Sequence, residues 1–241
     1  MRPLYFVYLD RYHLGDPTFI KNLAHEAGQR PSGEPSSIMV HGSGEKVERT
    51  LEAQGYFPER VEGVLEVQTA EQRRLVERAV REVNRDLVGT FTDEVVSTVG
   101  VQGVDRGLLR LDESGGLHAR KTGWVEALVK QRVLPVVSAL ARTPDETEVR
   151  EVASAEALTA LAAAFEASFD PKAVFLATTG RPGIPGAEGI QPEVALDAVT
   201  EEHVPEPDAV RQVHDAGVPV LLTSIHGFYQ EEGPDGSWVA G

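Results

Sequence analysis

Short apolar strands alternate with amphipathic helices from one end of this chain to the other, and that alternation restricts the fold more than any other feature. Leu4–Leu9 is an apolar, aromatic-rich strand, and Pro17–Ala27 predicts a helix with Phe19, Ile20 and Leu23 on one face. Ile38–Val40 is a short buried strand that runs through the turn His41–Gly44 into a helix over Glu45–Gln54. Thr69–Thr90 is the clearest helix, with Leu75, Val76, Ala79, Val80, Val83 and Leu87 at helical spacing and charges between them. Val95–Val101 is a strand. Trp124–Gln131 is a helix leading to the strand Val133–Ser138, where Pro135 near the start leaves a missing N–H that is tolerated. Ser154–Ser168 is an Ala-rich helix with Ser154 as its expected N-cap. The strand Ala173–Ala177, the helix Pro207–Ala216 and the strand Val218–Leu222 complete the series, with a short terminal strand after Gly233. Gln29–Ser37 and Gly180–Gln191 are Gly- and Pro-rich loops, and Asp112–Gly116 is a hairpin turn. Parallel strands need long crossovers and helices supply them, so the pattern predicts an α/β fold with a mostly parallel sheet covered on both faces. A length of 241 residues fits one such domain.

Charge and composition narrow the function. Lys and Arg number 23 against 38 Asp and Glu, a net charge of -15, which argues against nucleic acid or an anionic membrane as partner. The absence of cysteine excludes disulfides, zinc–thiolate sites, Fe–S clusters and a thiol nucleophile. The first ten residues read as a strand rather than a signal peptide, and no apolar run approaches the roughly 18 residues of a membrane span, so the expectation is a cytoplasmic protein. The seven histidines form no HxH or HExxH pattern, so no metal site is expected, and no serine sits in a G-x-S-x-G elbow.

The strongest local signal is Ile38-Met-Val-His-Gly-Ser-Gly-Glu-Lys-Val47, in which a strand meets glycines where a helix begins. Free backbone N–H groups and the helix dipole would favour an anion there, at Gly42, Ser43 and Gly44. The segment is neither G-x-G-x-x-G nor a Walker loop, and an ordinary tight turn is the other reading. Val99-Gly-Val-Gln-Gly-Val-Asp-Arg-Gly107 presents the same choice between phosphate loop and shaped turn.

Taken in order and spacing, these segments resemble the amino-acid kinase family, and most of all its acetylglutamate kinase branch. Val40-His-Gly-Ser-Gly44 is similar to Val-His-Gly-Gly-Gly, Val61-Glu-Gly-Val-Leu65 to Val-Asn-Gly-Leu-Arg, and Val83-Asn-Arg-Asp-Leu-Val88 to Val-Asn-Lys-Glu-Leu-Val. Val99–Leu108 and Leu134-Pro-Val-Val137 follow in register, and Thr159-Ala-Leu-Ala162 and Pro182-Gly-Ile184 fall where the family has a nucleotide-side helix and turn. The resemblance implies a three-layer αβα sandwich, with an acyl-amino-acid-side lobe over about 1–142 and a nucleotide-side lobe, shortened here between Pro185 and Pro205, over about 143–241. It implies phosphoryl transfer from Mg-ATP to a side-chain carboxylate, carried out by positioning and charge stabilisation. It places substrate or phosphate at Gly42, Ser43, Gly44, Gly63 and Val64, and nucleotide near Thr179, Gly180 and Gly183. It also implies a dimer.

The charged positions depart from that pattern. The first strand should end in Lys-x-Gly-Gly and reads Tyr8-Leu-Asp10-Arg11. The second lysine aligns with Glu206, and the aspartate that orients the lysines aligns with Ala155, in Glu151-Val-Ala-Ser-Ala155. The substrate-carboxylate arginine aligns with Leu65 and a nucleotide-side aspartate with Gly180. Oxyanion donors are each worth about 10²–10³ in rate, so these losses predict an impaired catalyst. The expectation is a ligand- or partner-binding pseudoenzyme of arginine or lysine biosynthesis that takes a small anionic metabolite or N-acyl amino acid, as a homodimer or paired with a paralogue. The alternative is a divergent acetylglutamate or N-acyl-aminoadipate kinase in which Arg11, Lys46 or Arg181 supplies the missing cations.

Overall fold

The computed structural model describes residues 1–30, 34–61, 63–186 and 189–240, with the side chain of Lys46 outside that description. The chain runs β1 (Pro3–Leu9), α1 (Arg11–Leu14), α2 (Pro17–Gly28), β2 (Ser37–His41), α3 (Gly44–Glu52), a small hairpin β3 (Arg60–Val61) and β4 (Val64–Leu65), and α4 (Ala70–Asp93). It continues through β5 (Thr98–Gln102), β6 (Leu109–Leu111), β7 (Leu117–Ala119), α5 (Gly123–Lys130), β8 (Leu134–Ser138), β9 (Leu140–Arg142), β10 (Val149–Glu151), α6 (Ser154–Phe165) and β11 (Asp170–Leu176). The last part holds β12 (Pro185–Gly186), β13 (Gly189–Ile190), β14 (Glu193–Ala195), α7 (Pro207–Asp215), β15 (Val220–Thr223), α8 (Ile225–Phe228) and β16 (Ser237–Ala240).

Among the described residues, eight strands form the central sheet in the order β14-β16-β15-β11-β1-β2-β8-β5. Every pairing in it is parallel except β15 with β16. β1 shows why both faces are covered. Leu4, Phe6 and Tyr8 join the core under α5, α6 and α7, while Tyr5, Val7 and Leu9 join the core under α2, α4 and α8. Successive side chains of a strand point to opposite faces, so this unbroken apolar run requires a helical layer on each side. The three-layer sandwich expected from the sequence is therefore present. The expected hairpin turn at Asp112–Gly116 joins β6 to β7, and these two strands belong to a second, four-stranded sheet, β10-β9-β6-β7, which the sequence reading did not anticipate, nor the β3–β4 hairpin.

Helix starts differ in how they are closed. α4 starts at a capping box, where Thr69 Oγ1 accepts from the Gln72 N–H and Gln72 Oε1 accepts from the Thr69 N–H. α6 differs from expectation: Ala153 is the N-cap, Ser154 is already helical, and no side chain caps the helix. Ser154 Oγ instead lies against Gly42, 2.8 Å from where a Cβ on that glycine would be. Pro135 precedes the residues of β8 that pair with β2, so its missing N–H costs no bond to that strand. No helix among the described residues is long and apolar enough to cross a membrane.

Candidate functional site

β1 lies where the sheet order reverses, with β2 on one side and β11 on the other. In open α/β sheets ligands bind at such a point, beyond the carboxyl ends of the strands. A cleft of about 690 Å³ opens there, and its lining includes Tyr8, Arg11, Arg60, Gly63, Ser154, Ala155, Glu201, Glu206, Asp208 and Gln212.

Tyr8 ends β1 on the α6/α7 face. Its ring stacks on Phe175 at 4.8 Å between centroids, and its hydroxyl donates to Glu206 Oε2 at 2.5 Å. Burial, and then the adjacent Glu206 charge, push the phenol well above its ordinary pKa, so it stays protonated and remains a donor. Glu206 is the residue before the first turn of α7, and its other oxygen accepts from the Arg11 N–H at 3.3 Å. Tyr8 and Glu206 occupy the two positions where the resemblance requires lysines. They form a donor–acceptor pair with each other.

Asp10 is turned away from the cleft. It is buried, caps α1 by accepting from the His13 N–H at 2.9 Å, and holds His13 Nδ1 at 2.6 Å. Its carboxylate is taken up within the α1 turn and does not line the cleft. Arg11 is the looser cation: its guanidinium is 3.9 Å from both Glu48 and Glu206, and its side chain is 43% exposed.

The Gly42–Gly44 loop is filled by the protein itself. The Ser43 N–H donates to Glu151 Oε1 at 2.7 Å. Arg60 reaches from the β3–β4 hairpin, donating to Ser43 Oγ at 3.2 Å, to the Gly44 carbonyl at 3.3 Å, to Gly63 O at 2.7 Å and to Glu48 Oε1 at 2.5 Å. A Cβ on Gly42 would stand 3.0 Å from Glu151 Oε1, so glycine is required here for approach of the chain's own side chains. Burial raises the Glu151 carboxyl, and the Ser43 hydrogen bonds and the Arg60 charge only partly oppose it.

Beneath the loop runs a neutral network. The Gly42 carbonyl can only accept, so His41 Nδ1 carries the proton, at 2.8 Å, and Nε2 accepts from Asn84 Nδ2 at 3.0 Å. Asn84 also donates to Val136 O at 2.8 Å and accepts from Gln102 Nε2 at 3.0 Å, and Gln102 Oε1 accepts from Ser138 Oγ at 2.9 Å. Burial lowers His41 to about 4, so the ring is neutral. Gly100 admits Asn84, whose Oδ1 would lie 2.4 Å from a Cβ there, and Gly103 packs on the Ser138 and Leu140 carbonyls. The glycines of Val99–Gly107 thus serve internal packing and a turn.

Of the residues singled out in the sequence, the cleft unites Tyr8, Arg11, Gly63, Ala155 and Glu206, while Ser43 and Gly44 adjoin it through Arg60. Val64 lines a separate hollow beside Val149, and Leu65 is buried under α3 and α4. Thr179, Gly180 and Arg181 are exposed in a turn outside the cleft lining, and Gly183, at φ 129°, is packed against Ser237 and Ile190. The side chain of Lys46 lies outside the described residues. Arg60 is the functional candidate that sequence reading missed. It precedes the Val61–Leu65 motif by one residue, and an arginine opening a glycine hairpin was the available signal.

No family model matches the chain. It is 32% identical to acetylglutamate kinase of Streptomyces griseus over 145 residues, 54% of this chain and 46% of that protein. It is 30% identical to the Streptomyces avermitilis acetylglutamate kinase over 158 residues, 59% of this chain and 50% of that one. The chain spans about half the length of these curated relatives. Among solved structures, smu.665 from Streptococcus mutans superposes with a TM-score of 0.67 at 17% identity, covering 100% of this chain and 99% of that one. N-acetylglutamate synthase of Neisseria gonorrhoeae, complexed with coenzyme A and N-acetyl-glutamate, gives 0.67 at 15%, covering 100% of this chain and 59% of that one. An isopentenyl phosphate kinase gives 0.64 at 11%, covering 98% and 100%. The chain thus has the amino-acid kinase fold along its whole length and resembles acetylglutamate kinase in sequence over somewhat more than half of it.

Proposed function

We propose that this is an acetylglutamate-kinase-like binding protein, acting in the cytoplasm, that takes a small carboxylate-bearing amino-acid metabolite in the cleft and does not transfer phosphoryl groups. The observation that carries this reading is the 2.5 Å hydrogen bond from Tyr8 to Glu206. A moving phosphoryl group needs cations aimed at its oxygens. A phenol locked to a carboxylate offers none. The donor set is also a poor match for Mg-ATP, because Glu201, Glu206 and Asp208 face the same cleft and would repel a triphosphate. What remains for a ligand is Arg11, whose own ion pairs are long, and the uncapped first turn of α6 at Ser154 and Ala155. Both favour a single carboxylate. Among the comparisons, the names of the relatives and the ligand of the synthase structure support N-acetylglutamate as the first compound to try. Pairing with a catalytically active relative of arginine or lysine biosynthesis is the quaternary form proposed.

The second reading is a divergent kinase, favoured by the entry of Arg11 and Arg60 into one cleft. One assay separates the two. The purified protein is supplied with Mg-ATP and N-acetylglutamate, and any acyl phosphate is trapped with hydroxylamine. Gly42→Asp is the control, since any Cβ at Gly42 meets Ser154 Oγ at 2.8 Å. Product that disappears in the variant establishes the kinase. No product above the variant, with N-acetylglutamate raising the melting temperature of the wild type, supports the binding protein.

A further inference from the structure

The sheet carries a second hollow at the end opposite the cleft. It lies at the amino ends of β2, β8 and β5, has a volume of about 140 Å³, and shares no lining residue with the cleft. Ala27, Val96, Val129, Val133 and Leu134 give it apolar walls, and Arg30, Arg132, Ser37 and Ser97 are set among them. Glu34 also lines it, with its carboxylate paired to Arg2. Two of the polar groups are unanswered. Arg30 donates through Nη2 to the Tyr229 carbonyl and stands 3.9 Å from Glu231 through Nη1, but its Nε is buried and has no hydrogen-bond partner. Arg132 is exposed and its side chain makes no hydrogen bond or ion pair among the described residues. A cation at a helix C-terminus ordinarily answers the last carbonyls, and this one answers none.

The backbone beside the hollow takes a conformation that glycine usually supplies. α4 and α5 close in the same way, with the Val96 N–H donating to Phe91 O at 3.0 Å and the Val133 N–H to Leu128 O at 3.1 Å. The residue before each of these is left-handed: Val95 at φ 63° and Arg132 at φ 63°. Both line the hollow. A branched or long side chain is strained there, and strain of this kind collects at ligand clamps.

We propose that this hollow binds a small organic carboxylate with a short hydrocarbon body. The Arg132 guanidinium takes the carboxylate, and Arg30 turns its unanswered Nε–H toward it. Val96, Val129 and Leu134 receive the hydrocarbon. Two guanidiniums select an oxyanion, and apolar walls select carbon over the fully polar surface of phosphate. The volume, below the roughly 300–1,000 Å³ of pockets for drug-sized ligands, limits the body to a few carbons. The site stands independently of what the cleft binds or transfers.

The test titrates the full chain with butyrate and, separately, with inorganic phosphate, by calorimetry and thermal denaturation. The proteins are wild type, Arg132→Gly, Arg132→Glu and, as the cleft variant, Arg11→Ala. Glycine removes the cation and suits the left-handed backbone, so Arg132→Gly should melt no lower than wild type. The expected result is a rise of a few degrees in the wild-type melting temperature with butyrate, and an affinity weakened about tenfold or more in Arg132→Gly and unchanged in Arg11→Ala. Arg132→Glu, a charge reversal at an exposed position, should abolish binding and decides the matter if the glycine variant does not fold. Equal affinity in wild type and either Arg132 variant overturns the proposal. So does loss of binding in Arg11→Ala, which would put butyrate in the cleft. Binding of phosphate in place of butyrate, or of neither by the wild type, overturns it as well. N-acetylglutamate and the hydroxylamine assay read the cleft separately, so the two failures are distinguishable.

Discussion

Two polar clusters meet at Gly42, one beneath the loop and one above it, and they are built on opposite terms. Below, His41, Asn84, Gln102 and Ser138 form an unbroken chain of neutral donors and acceptors. Above, Tyr8, Arg11, Arg60, Glu48, Glu151 and Glu206 are charged or paired with charge, partly open to solvent, and include an unpartnered oxygen at Glu151. A buried network with every member answered specifies the scaffold. A charged cluster only partly answered has capacity left for a ligand. The contrast predicts large stability effects below the loop and small ones above it.

The largest effect belongs to Asn84→Ala. It deletes two donated bonds and one accepted bond, and leaves His41 Nε2 and Val136 O buried without their donor. A loss of about 3 kcal/mol is expected in urea denaturation, since each stranded buried group costs ~1–3 kcal/mol. A loss below about 1 kcal/mol would mean that water enters the network and that the contrast between the clusters is false.

Next comes acid. His41 is lowered to about 4 in the folded chain from an ordinary value of 6.5. The unfolded chain therefore binds a proton through a window in which the folded chain does not. Stability from this group is complete above 6.5 and is lost as pH falls toward 4. A shift of this size corresponds to about 3 kcal/mol at most. A His41→Gln variant should show a flatter stability profile between those pH values. A profile as steep as the wild type's would remove His41 from the account.

Tyr8→Phe lies above the loop and should cost about 1 kcal/mol, because Glu206, 24% exposed, can recover water when the phenol leaves. The stacking on Phe175 is retained. A loss approaching that of Asn84→Ala would show that the Tyr8–Glu206 pair is a structural tie between β1 and α7.

The ease with which these regions were read from sequence differs for the same reason. The sheet and helices follow from periodicity, since Leu4–Leu9 alternates between two apolar layers and the apolar residues of Thr69–Thr90 recur at helical spacing. The position of the glycine loop, and the placing of Tyr8 and Glu206 together, followed from the resemblance and its spacing. The contents of the loop did not. In the sequence Glu151 only opens the run Glu151-Val-Ala-Ser-Ala155 that departs from the resemblance, Asp10 stands where the resemblance has a glycine loop, and Ser154 reads as a cap. Their actual partners are Ser43, His13 and the Gly42 backbone. Contacts that join residues across 108 positions are set by tertiary packing, and no local pattern encodes them. Arg60 escaped for the same reason, since its four partners converge only when the hairpin folds back over the loop.

The smallest change, and the one that tests the contrast most finely, is Glu151→Gln. The folded chain raises the Glu151 pKa, with burial as the leading cause. The contribution of this group is therefore fully present below the ordinary glutamate range and is lost as pH rises through the folded value, so at neutral pH the fold holds the ionised carboxylate at a cost. Glutamine keeps an oxygen for the Ser43 N–H and removes the charge, but places an amide where Oε2 now has no partner. The two effects oppose, and the variant should match the wild type or exceed it by up to about 1 kcal/mol at pH 7, with the advantage vanishing near pH 4. Urea denaturation at the two pH values measures it. If Glu151→Gln instead loses more than about 2 kcal/mol at pH 7, the carboxylate is a stabilising cap and belongs with the network below the loop.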